Sequence, residues 1–239
     1  MAGLSSLGAV WPLGCYAQSP TDDTRPEQDR EPRWGTWKER PSIVTVSEND
    51  DPRLKAVHEA RDFWNAELLK LGSSFRLGTV THVTGQLDIK EFHPKSHLFS
   101  HNPFILPETI RKIEGDVIVA LSDESLHPIT TGWLVPKKKL LVAIPNEKTF
   151  PLRLPPYGAV NAVAHEFGHV IGLGHHKNAA ALMCGSSPWC LFSTKSFLAL
   201  TEQEKIRLTE MYPPDWQDKT SRRWKDDAVP KDRVGSMTA

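Results

Sequence analysis

The chain has 239 residues, 39% hydrophobic and 24% charged, enough for one domain with a sizeable core plus tails. Lysine plus arginine number 29, as do aspartate plus glutamate, and this balance argues against a broad electrostatic surface for nucleic acid or acidic lipid. No apolar run reaches the roughly 20 residues that span a bilayer, so no transmembrane helix is expected.

Residues 1–17 are apolar and uncharged and end on Cys15-Tyr16-Ala17, which reads as an export signal. The competing reading is an apolar start without a targeting role. A lipid anchor at Cys15 is disfavoured by Pro12. Residues 18–40 are polar and carry Pro20, Pro26 and Pro32, the composition of a disordered linker. The domain is expected over 41–215, followed by a flexible charged tail over 216–239.

"PSIVTV" reads as a strand closed by the turn-forming "SENDD". Leu54, Val57, Ala60, Phe63, Trp64, Leu68 and Leu71 then recur at three and four, between Pro52 and Gly72. That predicts an amphipathic helix. "SFRLGTVTHV" alternates as a strand, and "GDVIVALSD" reads as a buried one. "GWLVP" and "KLLVAIP" give two more, with Lys137, Lys138 and Lys139 guarding an edge. Helical spacing returns over 157–172. The last helix lies in "LTEQEKIRLTEMYPP", with Thr201 as N-cap, Glu204 three residues on, and Pro213 as stop. The order of elements predicts a single α/β or α+β domain built on a twisted sheet.

The chemistry is concentrated in "HEFGHVIGLGHHKNAAALM", residues 165–183. At about 100° per residue, Val160, Ala164, Phe167 and Ile171 fall on one line and predict a core-facing stripe. His165 and His169 lie on the opposite side, one turn apart, where two imidazoles can bind one ion. Glu166 sits beside that ion without pointing at it. This is the HExxH arrangement, two zinc ligands and a carboxylate that acts on water. Catalytic zinc needs a third protein ligand and an open position. Gly172 can end the helix in a left-handed turn and bring His175 back to the metal. The five fixed positions of HExxHxxGxxH arise by chance roughly once in ten million positions. That rate disfavours a buried helix with incidental histidines.

This string resembles the metzincin clan of zinc endopeptidases, and in detail it is most similar to the matrixins, the family of the matrix metalloproteinases. Phe167-Gly168 fits the matrixin form of the motif. Ala181-Leu182-Met183 falls eight residues after His175, as in the family's Met-turn. The closing helix is similar too. The resemblance spans residues 41–213, with specific matches confined to 157–213.

The resemblance implies a metzincin-type zincin fold: a mostly parallel five-stranded sheet, an active-site helix, a Met-turn and a C-terminal helix. It implies one catalytic zinc held by His165, His169 and His175. Glu166 would be general base and acid toward a zinc-activated water, in hydrolysis of a protein or peptide by a secreted, monomeric enzyme. Met183 would form the floor under the imidazoles, and an extended substrate would pair with an edge strand, for which "GWLVP" is the candidate. The rival readings are a catalytically silent, zinc-containing peptide-binding domain and a zinc hydrolase of a non-peptide amide.

Several features depart from the family. The latency-cysteine motif is absent. The segment "TTGWLVPKKKLLVAIPNE" lacks the ligands of the family's structural zinc and calcium. Gly185 stands where astacins and serralysins carry a tyrosine. Cys184 and Cys190 flank a turn-forming stretch and form either a disulfide or two buried thiols. A bridge there would shape the wall of the S1′ pocket. His176 is a rival third ligand, disfavoured by spacing. His93, His97 and His101 could hold a second metal if helical, and Asp116, Asp123 and Glu124 could hold calcium. A solvated loop or turn is the simpler reading of both groups.

Overall fold

The computed structural model describes residues 32–92, 102–124, 127–134, 136–146, 158–185 and 196–219. The readings placed on 1–17, on Cys190 and on His93, His97 and His101 lie outside the described residues. In chain order the elements are β1 (Ile43–Ser47), α1 (Leu54–Lys70), β2 (Val80–Thr84), α2 (Glu108–Arg111), β3 (Val117–Ser122), β4 (Ile129–Trp133), β5 (Lys139–Pro145), α3 (Gly158–Val170) and α4 (Glu202–Met211).

The strands form one sheet in the order β2-β1-β3-β5-β4. All pairings are parallel except β4 with β5. The architecture is therefore mixed α/β with a mostly parallel sheet, as expected. All six residues of β3 are buried, because both sheet faces are covered. Val117, Val119 and Leu121 join Leu140, Val142 and Ile144 on the face against α1 and α3. Ile118 and Ala120 face a smaller layer of Ile89, Phe92, Ile110 and Trp133 on the other side. α1 packs on α3, and the indole Nε1 of Trp64 donates to Ala164 O at 2.8 Å.

The structure differs from the sequence reading in four places. Of "SFRLGTVTHV", only the second half forms β2. β4 begins at Ile129, earlier than "GWLVP", and it is the antiparallel edge of the sheet. The lysine run does not guard that edge. Lys137 and Lys138 lie in the β4–β5 turn and Lys139 opens β5, where its Nζ bonds the carbonyls of Ile110 and Ile113.

The fourth difference concerns the stretch read as linker. Its residues 32–40 form a strap packed across the ends of α3 and α4. Trp34 and Trp37 are buried in it. Trp37 Nε1 donates to Val170 O at 2.8 Å, and Trp37 N–H donates to Tyr212 Oη at 3.2 Å. Tyr212 in turn donates to Ile171 O at 3.0 Å. From beyond residue 215, Trp216 Nε1 donates to Trp37 O and Lys219 N–H to Lys38 O. Two indoles among polar neighbours supply the burial that the average composition hides.

Candidate metal centre

α3, the helix that bears His165 and His169, is more deeply buried than an amphipathic pattern implies. Ala164, Phe167 and Ile171 are core, as the stripe predicts. The opposite face is covered as well, leaving His165 2% and Glu166 3% exposed. β4 covers one flank and the segment 181–185 the other.

Gly172 adopts φ +102° and ends the helix. Leu173 N–H reaches back to Gly168 O at 2.9 Å, which closes the turn. The chain doubles back and delivers His175. Beneath the helix runs the buried stretch Ala181–Cys184. It is pinned to the returning chain, with His176 N–H donating to Met183 O at 2.6 Å. A side chain at Gly168 would overlap Met183 Sδ, so the glycine lets the thioether lie directly under the helix. At Gly185 an added Cβ would fall inside the His175 ring. The backbone there lies flat against the imidazole.

The three imidazoles converge. Ring centroids are 4.8 Å apart for His165–His169, 4.7 Å for His169–His175 and 5.3 Å for His165–His175. Their ligand atoms lie within 4.8 Å of one another. His165 Nδ1 lies 2.8 Å from Leu182 O, and His169 Nδ1 lies 2.9 Å from Leu173 O. A carbonyl only accepts, so both Nδ1 atoms carry the proton and both Nε2 atoms present a lone pair. His169 Nε2 and His175 Nε2 are 3.1 Å apart. Two ligands of a tetrahedral zinc with bonds of about 2.0–2.1 Å sit about 3.3 Å apart. Burial, and then the charges of His175 and His165, hold His169 well below the ordinary histidine range and keep it neutral. The donor set fits one zinc ion.

Glu166 does not join the histidine cluster. Its Oε2 accepts a 2.7 Å bond from Thr130 Oγ1, and Thr130 also lies 3.2 Å from Glu166 O. Burial raises the Glu166 carboxyl to about 7, against the Thr130 bond and the nearby His175, which lower it. Thr130 is on β4, the outermost strand of the sheet, so the carboxylate, the imidazoles and that strand meet at one place.

His165, His169 and His175 are the only group among the described residues able to hold a metal. The acidic residues considered for calcium are dispersed. Asp116, before β3, pairs with Lys137 at 2.7 Å, while Asp123, beyond it, bonds Asn146 and lies 3.6 Å from Arg53. Glu124 pairs with Lys90 at 2.8 Å. His176 turns away from the cluster, toward Asn178 N–H and Gln203 Oε1. Cys184 is buried and disulfide-bonded, and its partner lies outside the described residues. His58 is exposed, and His82 bonds Ser47 on the far edge of the sheet.

Sequence reasoning missed Thr130, Gly185 and the carbonyls of Leu173 and Leu182. A threonine in a β-rich stretch carries no signal of the carboxylate it meets 36 positions later. Gly185 was visible only as the absence of a tyrosine.

No protein-family model matches the chain, and no curated protein matches it. Among solved structures it is similar to the crystal structure of archaemetzincin from Methanopyrus kandleri, at 16% identity and a TM-score of 0.39. That alignment covers 73% of this chain and 96% of the other.

Proposed function

We propose that the chain is a zinc-dependent endopeptidase of the metzincin type, matrixin-like in the detail of its motif. His165, His169 and His175 hold one zinc, and Glu166 is the general base and acid. The observation that carries this reading is the meeting of three converging imidazoles, two of them fixed with Nε2 toward the cluster, with a buried carboxylate held by the outermost strand β4.

Zinc, when bound, supplies Lewis acidity that polarises the scissile carbonyl and makes water nucleophilic near neutral pH. The chain's own residues do the rest. Leu182 O and Leu173 O fix two imidazoles in the tautomer that can ligate. Met183 supports the ligand helix from below. Glu166 takes a proton from the attacking water and returns it to the departing amine, while Thr130 holds the carboxylate in one orientation. β4, outermost in the sheet, is the strand beside which an extended peptide would lie.

Cys184 in a disulfide supports work in an oxidising compartment, consistent with export. No helix among the described residues is long and apolar enough to cross a membrane. The test is cleavage of a peptide library with and without chelator, beside Glu166→Ala. The expected result is chelator-sensitive cleavage that Glu166→Ala abolishes while about one zinc per chain is retained. Zinc retention with no cleavage by the unaltered protein would favour the silent peptide-binding domain instead.

A further inference from the structure

Beyond Trp133 the outer strand runs into a cavity that the proposed chemistry does not use. Its volume is about 650 Å³, and it lies between the β4–β5 turn and the strap. Leu134, Trp34 and Trp37 give it an apolar wall. The cations Lys38, Arg40, Lys137 and Lys138 line it, against the carboxylates of Glu39 and Asp116. Asp116 is occupied by Lys137 at 2.7 Å and by the Ser42 N–H at 2.9 Å. Arg40 reaches Asp218 only at 4.0 Å.

Lys138 is the unusual member. Its Nζ donates to Gly35 O at 2.8 Å and sits 3.8 Å over the Trp37 ring. Burial lowers its amine to about 7, and no carboxylate opposes that shift. A partly desolvated ammonium held by one carbonyl and one ring face has no carboxylate partner among the described residues. A carboxylate entering the cavity would supply it through a charge-assisted hydrogen bond.

The cavity also lies where a bound peptide would reach. Leu134 follows Thr130 by four residues, about 13 Å along a strand. Its own N–H is taken by Pro103 O at 2.8 Å, so a bound peptide would reach the cavity with a side chain and not by pairing with Leu134. At the other side Pro32 lines the cavity and packs against Gly172, in the turn that leads to His175. We propose that this cavity is a specificity subsite that takes an aspartate or glutamate side chain of an extended peptide substrate, about four residues from the scissile bond. The proposal rests on the peptidase reading above. It adds a substrate class, peptides acidic at one distant position.

The test uses end-blocked decapeptides in which a single glutamate is moved along the sequence, each with a glutamine control. Blocking the ends removes terminal carboxylates as a source of binding. One position, about four residues from the cleaved bond, is expected to raise kcat/KM about tenfold over glutamine. In Lys138→Met that ratio falls to about one, and in Lys138→Arg it stays well above one. Equal rates for glutamate and glutamine at every position overturn the subsite, as does a ratio that survives in Lys138→Met. Calorimetric binding of the same peptides to Glu166→Ala reads the cavity without hydrolysis. A glutamate preference in binding with no cleavage by the unaltered protein would overturn the peptidase reading and leave the cavity standing. Absence of preference in both measurements overturns the subsite whatever the fate of that reading.

Discussion

Thr130 Oγ1 donates a 2.7 Å hydrogen bond to Glu166 Oε2 from the one strand of the sheet that runs antiparallel. On the peptidase reading, the hydroxyl leaves the second carboxylate oxygen of Glu166 to act on water. A hydrogen bond to a charged partner is worth about 1.5–3 kcal/mol. Thr130→Val should therefore lower kcat roughly 10- to 100-fold with a smaller change in KM, and Thr130→Ser should recover most of it. Steady-state kinetics on one peptide checks this. Equal losses in the Val and Ser variants would argue that the residue only packs.

Gly185 has no room for a side chain against the His175 ring. Gly185→Ala should displace that imidazole and leave two ligands where catalytic zinc needs three. The expected outcome is loss of bound zinc on dialysis, by metal analysis, with a far-ultraviolet circular dichroism spectrum close to that of the unaltered protein. A full complement of zinc in the variant would refute the role given to this glycine.

Met183 is fully buried beneath α3, against Gly168. Truncation to alanine should cost about 2–5 kcal/mol in urea unfolding, through lost burial and the cavity left behind. Met183→Leu conserves volume and should cost less than about 1.5 kcal/mol. Zinc content near one per chain in the leucine variant would confirm that the sulfur supports the site without ligating.

Asp116 gives a pH prediction. Burial pushes its carboxyl up, but hydrogen bonds from Lys137 and from the Ser42 N–H and hydroxyl outweigh it and hold the group below its ordinary 3.8. The folded state therefore binds this proton less readily than the unfolded state. The stabilisation is present above pH 3.8 and is lost as pH falls through the folded value. Urea midpoints measured from pH 6 downward should fall, and Asp116→Asn should flatten part of that fall.

The elements legible in the sequence are those with a local cause. The spacing of Leu54 to Leu71 gave α1, the apolar run gave β3, and Thr201 with Glu204 forms the anticipated capping box. His165, His169 and His175 come together because a helix and a glycine turn are both local events. What was not legible depends on distant partners. The covering of the histidine face comes from β4 and from 181–185, which no helical period encodes. The strap was hidden because two buried indoles do little to shift a composition dominated by proline and charge. The dispersal of Asp116 and Asp123 follows from the length of β3, which sets them at opposite ends of a strand.

The tie from Trp37 through Tyr212 to Ile171 joins residues 175 positions apart in the chain. During synthesis, the helix that bears Glu166 is complete well before Tyr212 leaves the ribosome. Until then its C-terminal end has the bond from Trp37 Nε1 to Val170 O but lacks the one from Tyr212 to Ile171 O, two residues from His169. The tie therefore forms late, after nearly all of the packed domain has been made. On the peptidase reading, unfinished chains would carry little hydrolytic capacity.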